Sequence, residues 1–166
     1  MTSRDNRSRP ASLGSRSSPE DAKARALALL DKRDYSRAEL RRKLLEKGVS
    51  EADADAALER LGALGFVDDA RYAPIVVRHY AAKGYGRRRV AQELQRRGIP
   101  RELWDAALAQ MPEQDDTLDR LLASRLRGAD IEDRSALKKA TDALARKGYS
   151  WEEITAAVER AREQIR

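Results

Sequence analysis

The sequence predicts an all-α fold: an elongated array of three tandem three-helix repeats, each helix-turn-helix-like, behind a disordered N-terminal tail. Three observations carry this expectation. The chain repeats itself without gaps at a shift of 50 residues, which places Leu40 on Val90 and Ala140, Leu44 on Leu94 and Leu144, and Gly48 on Gly98 and Gly148. Helix entrances and exits recur at matching places within the repeats. No stretch shows the apolar/polar alternation of a half-buried strand. Self-similarity on this scale marks a stacked array in which each unit buries its apolar face partly against a neighbour.

Residues 1–19 are rich in Ser and Arg, contain Pro10 and Pro19, and show no apolar period, so they form the expected tail. The first repeat spans 20–65. Its first helix runs from Glu20 to about Lys32 with Ala22, Ala26, Leu27, Leu29 and Leu30. Its second enters through a capping box, Ser36 with Glu39, and buries Leu40, Leu44 and Leu45 before Lys47-Gly48 ends it. Ser50 and Asp53 open the third, which bears Ala54, Ala57, Leu58 and Leu61.

The second repeat spans 66–112. Asp68 and Asp69 start a helix carrying Tyr72, Ile75, Val76 and Tyr80, which stops at Lys83-Gly84-Tyr85-Gly86. A second helix opens with Arg87-Arg88-Arg89, places Val90 and Leu94 one turn apart, and ends at Arg97-Gly98. The acidic start suits the positive end of the helix dipole, Arg96 and Arg97 suit the negative end, and Gly98 can take the left-handed conformation that closes a helix. Pro100 occupies the next entrance, where a missing amide hydrogen costs little. Trp104, in register with Ala54 and Ile154, is expected in the core.

The third repeat spans 113–166. It has Arg134-Ser135-Ala136 where the second has Gly84-Tyr85-Gly86, so its connection from Gly128 to Asp133 should follow a different path. Ser150 and Glu153 form another capping box. Trp151, directly after that cap, is expected to be partly exposed.

Charge is unevenly spread. The net charge is +6, divided as +2 over 1–20, +1 over 21–65, +4 over 66–112 and −1 over 113–166. The middle repeat is the electrostatic focus, and the excess favours a polyanion or an acidic protein surface. With 37% charged and 5% aromatic residues there is little material for one thick core. The absence of cysteine removes disulfides and thiolate metal sites and agrees with a cytoplasmic protein; a single histidine argues against zinc. No apolar run approaches the ~20 residues that cross a bilayer, so no membrane contact is expected.

Asp68 and Asp69 read as helix caps, because no further carboxylate, histidine or phosphate loop accompanies them to make an acid/base pair or a magnesium site. Lys47, Arg97 and Lys147 share one repeat position and read as partners of the helix dipole. Arg87, Arg88 and Arg89 are different: three like charges at a helix N-terminus oppose the dipole, a local cost that points to a partner. No nucleotide-binding or catalytic motif is present, and the chain is not expected to be an enzyme. The residues leave three readings open: a regulator lying along a protein filament through several weak contacts, a sequence-tolerant DNA binder, or a generic helical scaffold. Specific major-groove reading is disfavoured by the acidic or mixed entrances after Gly48, Gly98 and Gly148.

The run Phe66-Val67-Asp68-Asp69-Ala70-Arg71-Tyr72-Ala73, then Gly84-Tyr85 with Arg89-Val90, then Glu93-Leu94 and Arg97-Gly98-Ile99, resembles the core of the RecX family of bacterial recombinase regulators. The resemblance covers roughly Ala24 to Arg160. Val90 stands where isoleucine is usual, and the Arg/Ser tail is idiosyncratic. The resemblance implies a protein that binds RecA and its filament on single-stranded DNA, limits filament growth or promotes subunit loss, lowers RecA's ATPase, strand-exchange and repressor-cleavage activities, and uses no cofactor; the chain is expected to be a monomer. Arg87, Arg88, Arg89 and Arg96 are the candidates for contact with acidic RecA surface or with DNA phosphates, and Arg71 and Arg78 are weaker ones.

Overall fold

A computed structural model describes residues 17–165, and the Arg/Ser-rich segment before Ser17 lies outside them. Among the described residues there are nine α-helices and no strand. The first three are α1 (Pro19–Leu30), α2 (Arg37–Glu46) and α3 (Glu51–Ala63). The next three are α4 (Asp69–Ala82), α5 (Arg87–Arg96) and α6 (Trp104–Leu108), with a 3-10 turn, Arg101–Leu103, before α6. The last three are α7 (Asp115–Leu126), α8 (Arg134–Arg146) and α9 (Trp151–Ile165).

Each trio encloses its own core. Leu40, Leu44, Leu58 and Leu61 are fully buried in the first, Val77, Val90 and Leu94 in the second, and Leu118, Leu122, Leu144, Tyr149 and Ile154 in the third. Each such leucine stabilises its unit by about 1.5–3 kcal/mol relative to exposure. The main helix-on-helix packing stays inside the trios. Three small cores in series are what a charged, aromatic-poor chain can fill.

The expected entrances are present. Ser36 and Glu39 cap each other reciprocally, Ser50 accepts the Asp53 amide, and Asp68 accepts the Arg71 amide at 3.1 Å. The first helix begins one residue earlier than expected, because Ser18 and Asp21 form a further capping box and Pro19 takes the first helical position. Pro19 therefore belongs to the helix and not to the tail.

Two other expectations need correction. The third helix of the middle trio is broken, since Pro100 has no side-chain acceptor to offer the following amides and the chain tightens into the 3-10 turn before α6. Trp104 is half-buried, unlike fully buried Ala54 and Ile154. Its indole donates to the Ile99 carbonyl at 2.9 Å and the Arg101 guanidinium covers its outer face. Trp151 is 70% exposed, and the connection before α8 turns through left-handed Arg127 and Gly128.

Candidate partner-binding surface

The trios meet at the ends of their middle helices. The C-terminal end of α8 abuts the start of α5: the Gly86 and Arg88 amides donate to the Lys147 and Gly148 carbonyls at 2.9 and 3.1 Å. The C-terminal end of α5 abuts the start of α2 in turn, where the Ser36 hydroxyl donates to the Arg97 carbonyl. The three middle helices thus meet end to end, negative pole on positive pole; orphan amides of α5 meet the carbonyls at the end of α8, and a hydroxyl before α2 meets the carbonyl at the end of α5. Both joints fall at the same repeat positions. Their chemistry differs, because Gly86 offers only its backbone where Ser36 offers a hydroxyl.

This stack sorts the arginines of α5. Arg87 reaches over the end of α6, its guanidinium 3.4 Å from the Leu108 carbonyl. Arg88 and Arg96 lie on the exposed face with Gln92 and Gln95. Arg96 is nevertheless tied to Glu93 at 3.0 Å, whereas Arg88 has no side-chain partner among the described residues. Arg89 is turned into the joint. Its backbone and Cβ crowd Gly148, its guanidinium approaches Glu93 at 3.5 Å and the Tyr85 ring at 5.7 Å, and its Nε is buried without a hydrogen-bond partner. Arg71 is exposed beside the Gly65 carbonyl, and Arg78 holds Gln110 at 3.3 Å. The six candidates therefore sit in different surroundings, some tied to neighbours and some open to solvent.

The family-like motif residues have separate duties. Phe66 is half exposed. Asp69 accepts the Arg37 amide at 2.9 Å, and burial pushes its carboxyl up against the opposing pull of Arg37. Gly84 and Gly98 both adopt positive φ. Leu94 is fully buried.

Sequence reasoning missed the network that seals the first joint. Arg97, read as a dipole partner, has a largely buried guanidinium that donates to the Tyr72 hydroxyl at 2.6 Å and reaches Tyr80 at 3.4 Å. It lies 3.6 Å from Glu39 and 3.9 Å from Glu93. Burial pushes the Glu93 carboxyl up, but the Arg96 guanidinium, the Tyr80 hydroxyl and Arg89 outweigh it and hold the group below its ordinary range. At the second joint Lys147 lies 4.4 Å over the Tyr85 ring, and burial beside Arg125 depresses its ammonium. The Tyr149 hydroxyl donates to the Gly84 carbonyl at 3.0 Å, and burial pushes it up to about 12. A signal was available: Glu93 and Arg97 are one turn apart on the side of α5 that follows Arg89.

Clefts open beside both joints. One of about 280 Å³ lies between Arg33, Tyr72, His79 and Arg97, and a larger one of about 770 Å³ lies between α4 and α7. No cluster of metal-ligating side chains occurs among the described residues, and no described helix is long and apolar enough to cross a membrane.

Residues 22–61 match the family model of the first three-helix domain of RecX, and residues 68–108 that of the second. The regulatory protein RecX of Vibrio campbellii is 35% identical over 138 residues, covering 82% of this chain and 89% of that protein. The RecX of Xanthomonas axonopodis pv. citri is 40% identical over 134 residues, covering 80% and 83%. A crystal structure of a regulatory protein RecX superposes with a TM-score of 0.78 at 23% identity, over 85% of this chain and 73% of that one. That of RecX from Lactobacillus salivarius gives 0.72 at 23% identity, over 86% and 95%. These two structures speak for the fold alone.

Proposed function

The chain belongs to the RecX family, and from that membership we propose that it is a non-enzymatic, monomeric cytoplasmic regulator that binds RecA and its filament on single-stranded DNA. It restrains the filament by limiting growth or promoting subunit loss, and so lowers RecA's ATPase, recombinase and co-protease activities in homologous recombination, DNA repair and the SOS response. The observation that carries this reading is the match to proteins named RecX over four-fifths of the chain. The end-to-end stack of middle helices supports it, because units joined at their helix tips present similar faces at regular intervals, as a repeating partner requires. Many small contacts then add through avidity. In this arrangement Arg88 is the most available cation of α5 for acidic RecA surface or DNA phosphates, with Arg87 and Arg96 beside it.

RecA's DNA-dependent ATPase, followed with substoichiometric amounts of this protein, tests the proposal. Inhibition at low ratios to RecA is the expected result. Inhibition seen only when the protein saturates the DNA would replace it with simple competition for single strands.

A further inference from the structure

We propose that the cleft between α4 and α7 is a binding site for the phosphodiester backbone of a single nucleic-acid strand. The proposal rests on the filament reading for its biological setting and assigns the nucleic-acid side of that contact to the joint of the second and third trios. Arg78 and Lys83 from α4 and its end, and Arg120 from α7, line this one cavity of about 770 Å³. All three are exposed, and among the described residues none has a carboxylate within ion-pair distance. Two of the three carboxylates of α7 are engaged elsewhere: Arg160 holds Asp119 at 2.7 Å and Asp115 at 3.7 Å, and Asp119 faces a different cavity; the third, Asp116, is exposed and does not line the cleft.

The neutral polar groups of the cleft are partly committed, and its charge points to the ligand class. The Gln110 Oε1 accepts from Arg78, Gln114 donates to the Pro112 carbonyl, and the Thr117 hydroxyl accepts from Arg120. What dominates the lining is the spare N–H donors of three cations that lack a carboxylate partner among the described residues, above an apolar floor of Ala81, Pro112 and Leu121. A polypeptide brings both donors and acceptors and would leave its amides unpaired here. A phosphodiester strand brings acceptors only, in a regular anionic series, and can lay its sugars on the floor. Contacts to a strand's phosphates carry no sequence information, so binding is sequence-tolerant. Glu113, exposed on the same lining, is the one opposing charge.

The test uses the full-length protein and fluorescent oligothymidylate, titrated by anisotropy at several salt concentrations, with a duplex as comparison. Changing Arg78→Ala, Lys83→Ala and Arg120→Ala together should weaken binding roughly tenfold or more and flatten the log–log salt slope by about 2, near 0.7 per lost phosphate contact. Glu113→Gln should tighten binding roughly two- to fivefold, an arm that cannot be mimicked by misfolding. An unchanged salt slope in the triple variant overturns the assignment, as does preferential binding of the duplex. Retained strand binding with lost association to free RecA would make the cleft a protein site and also overturn it. A wild-type protein that binds oligothymidylate through these residues but leaves RecA's ATPase unaltered supports the cleft while ending the RecA reading.

Discussion

A Cβ added to Gly98 would lie 2.5 Å from the Cβ of Ala38, so the first joint depends on a residue with no side chain. Gly98 also has φ near +65°, whereas Gly48, its counterpart one repeat earlier, has φ near +80° and open space around it. Gly48→Ala should therefore cost only the left-handed conformation, about 1 kcal/mol. Gly98→Ala should cost about 1–3 kcal/mol more, because the Ala38 methyl cannot swing aside. Urea unfolding followed by circular dichroism compares them, and equal losses would show that the joint contributes nothing.

Arg97 is the second wager on that joint. Removing its guanidinium leaves the buried carboxylates of Glu39 and Glu93 with less compensation and strips Tyr72 of its donor. Arg97→Ala should lose about 3 kcal/mol, in the range of breaking a buried pair. Arg88→Ala, at an exposed position with no side-chain partner among the described residues, should change stability by less than about 0.5 kcal/mol. The roles reverse in function. Arg88→Ala should weaken inhibition of RecA's ATPase, and an Arg88→Ala protein that inhibits like wild type at moderate salt removes that arginine from the contact.

The contrast between these two arginines shows what was legible. Repeat spacing located the helices, Ser36 and Ser50 marked entrances, and Gly98 marked an exit, because each signal is local in the chain. The joints are not local. Arg97 owes its burial to Tyr72, twenty-five residues away, and to Glu39 in another trio, and a repeat alignment that groups Arg97 with Lys47 and Lys147 averages that environment out. Arg87, Arg88 and Arg89 look equivalent as a run, yet helical geometry sends one over α6, one to solvent and one into Gly148. The cleft cations likewise come from separate elements that only the folded joint brings together.

Glu93 makes acid stability testable. Its folded carboxyl titrates below its ordinary value of 4.5, so the charged form binds its arginines more favourably than the unfolded chain does. That contribution is complete above the unfolded value and is lost as pH falls below it and through the lower folded value. Thermal unfolding between pH 5 and 2 should show a steeper loss for wild type than for Glu93→Gln. Parallel curves would mean that the network does not favour the ionised form.

Tyr149 supplies the opposite limb. Its hydroxyl is buried against the Gly84 carbonyl and titrates near 12 in place of 10, with burial as the main cause and Glu153 adding to it. A phenol whose folded value is raised contributes its stability below the unfolded value and loses it as pH rises through the folded one. Two units correspond to about 2–3 kcal/mol. Stability should therefore decline between about pH 10 and 12. Burial beside Glu39 also raises Tyr72, so that decline has more than one source, and Tyr149→Phe isolates one share of it. At neutral pH the phenylalanine variant should lose about 1–2 kcal/mol from the unpaired Gly84 carbonyl, and above pH 10 the gap to wild type should close. Because this hydrogen bond spans the second joint, a gap that stays constant with pH would mean that the phenol is ionised there as easily as in water, and that burial in the joint does not hold it neutral.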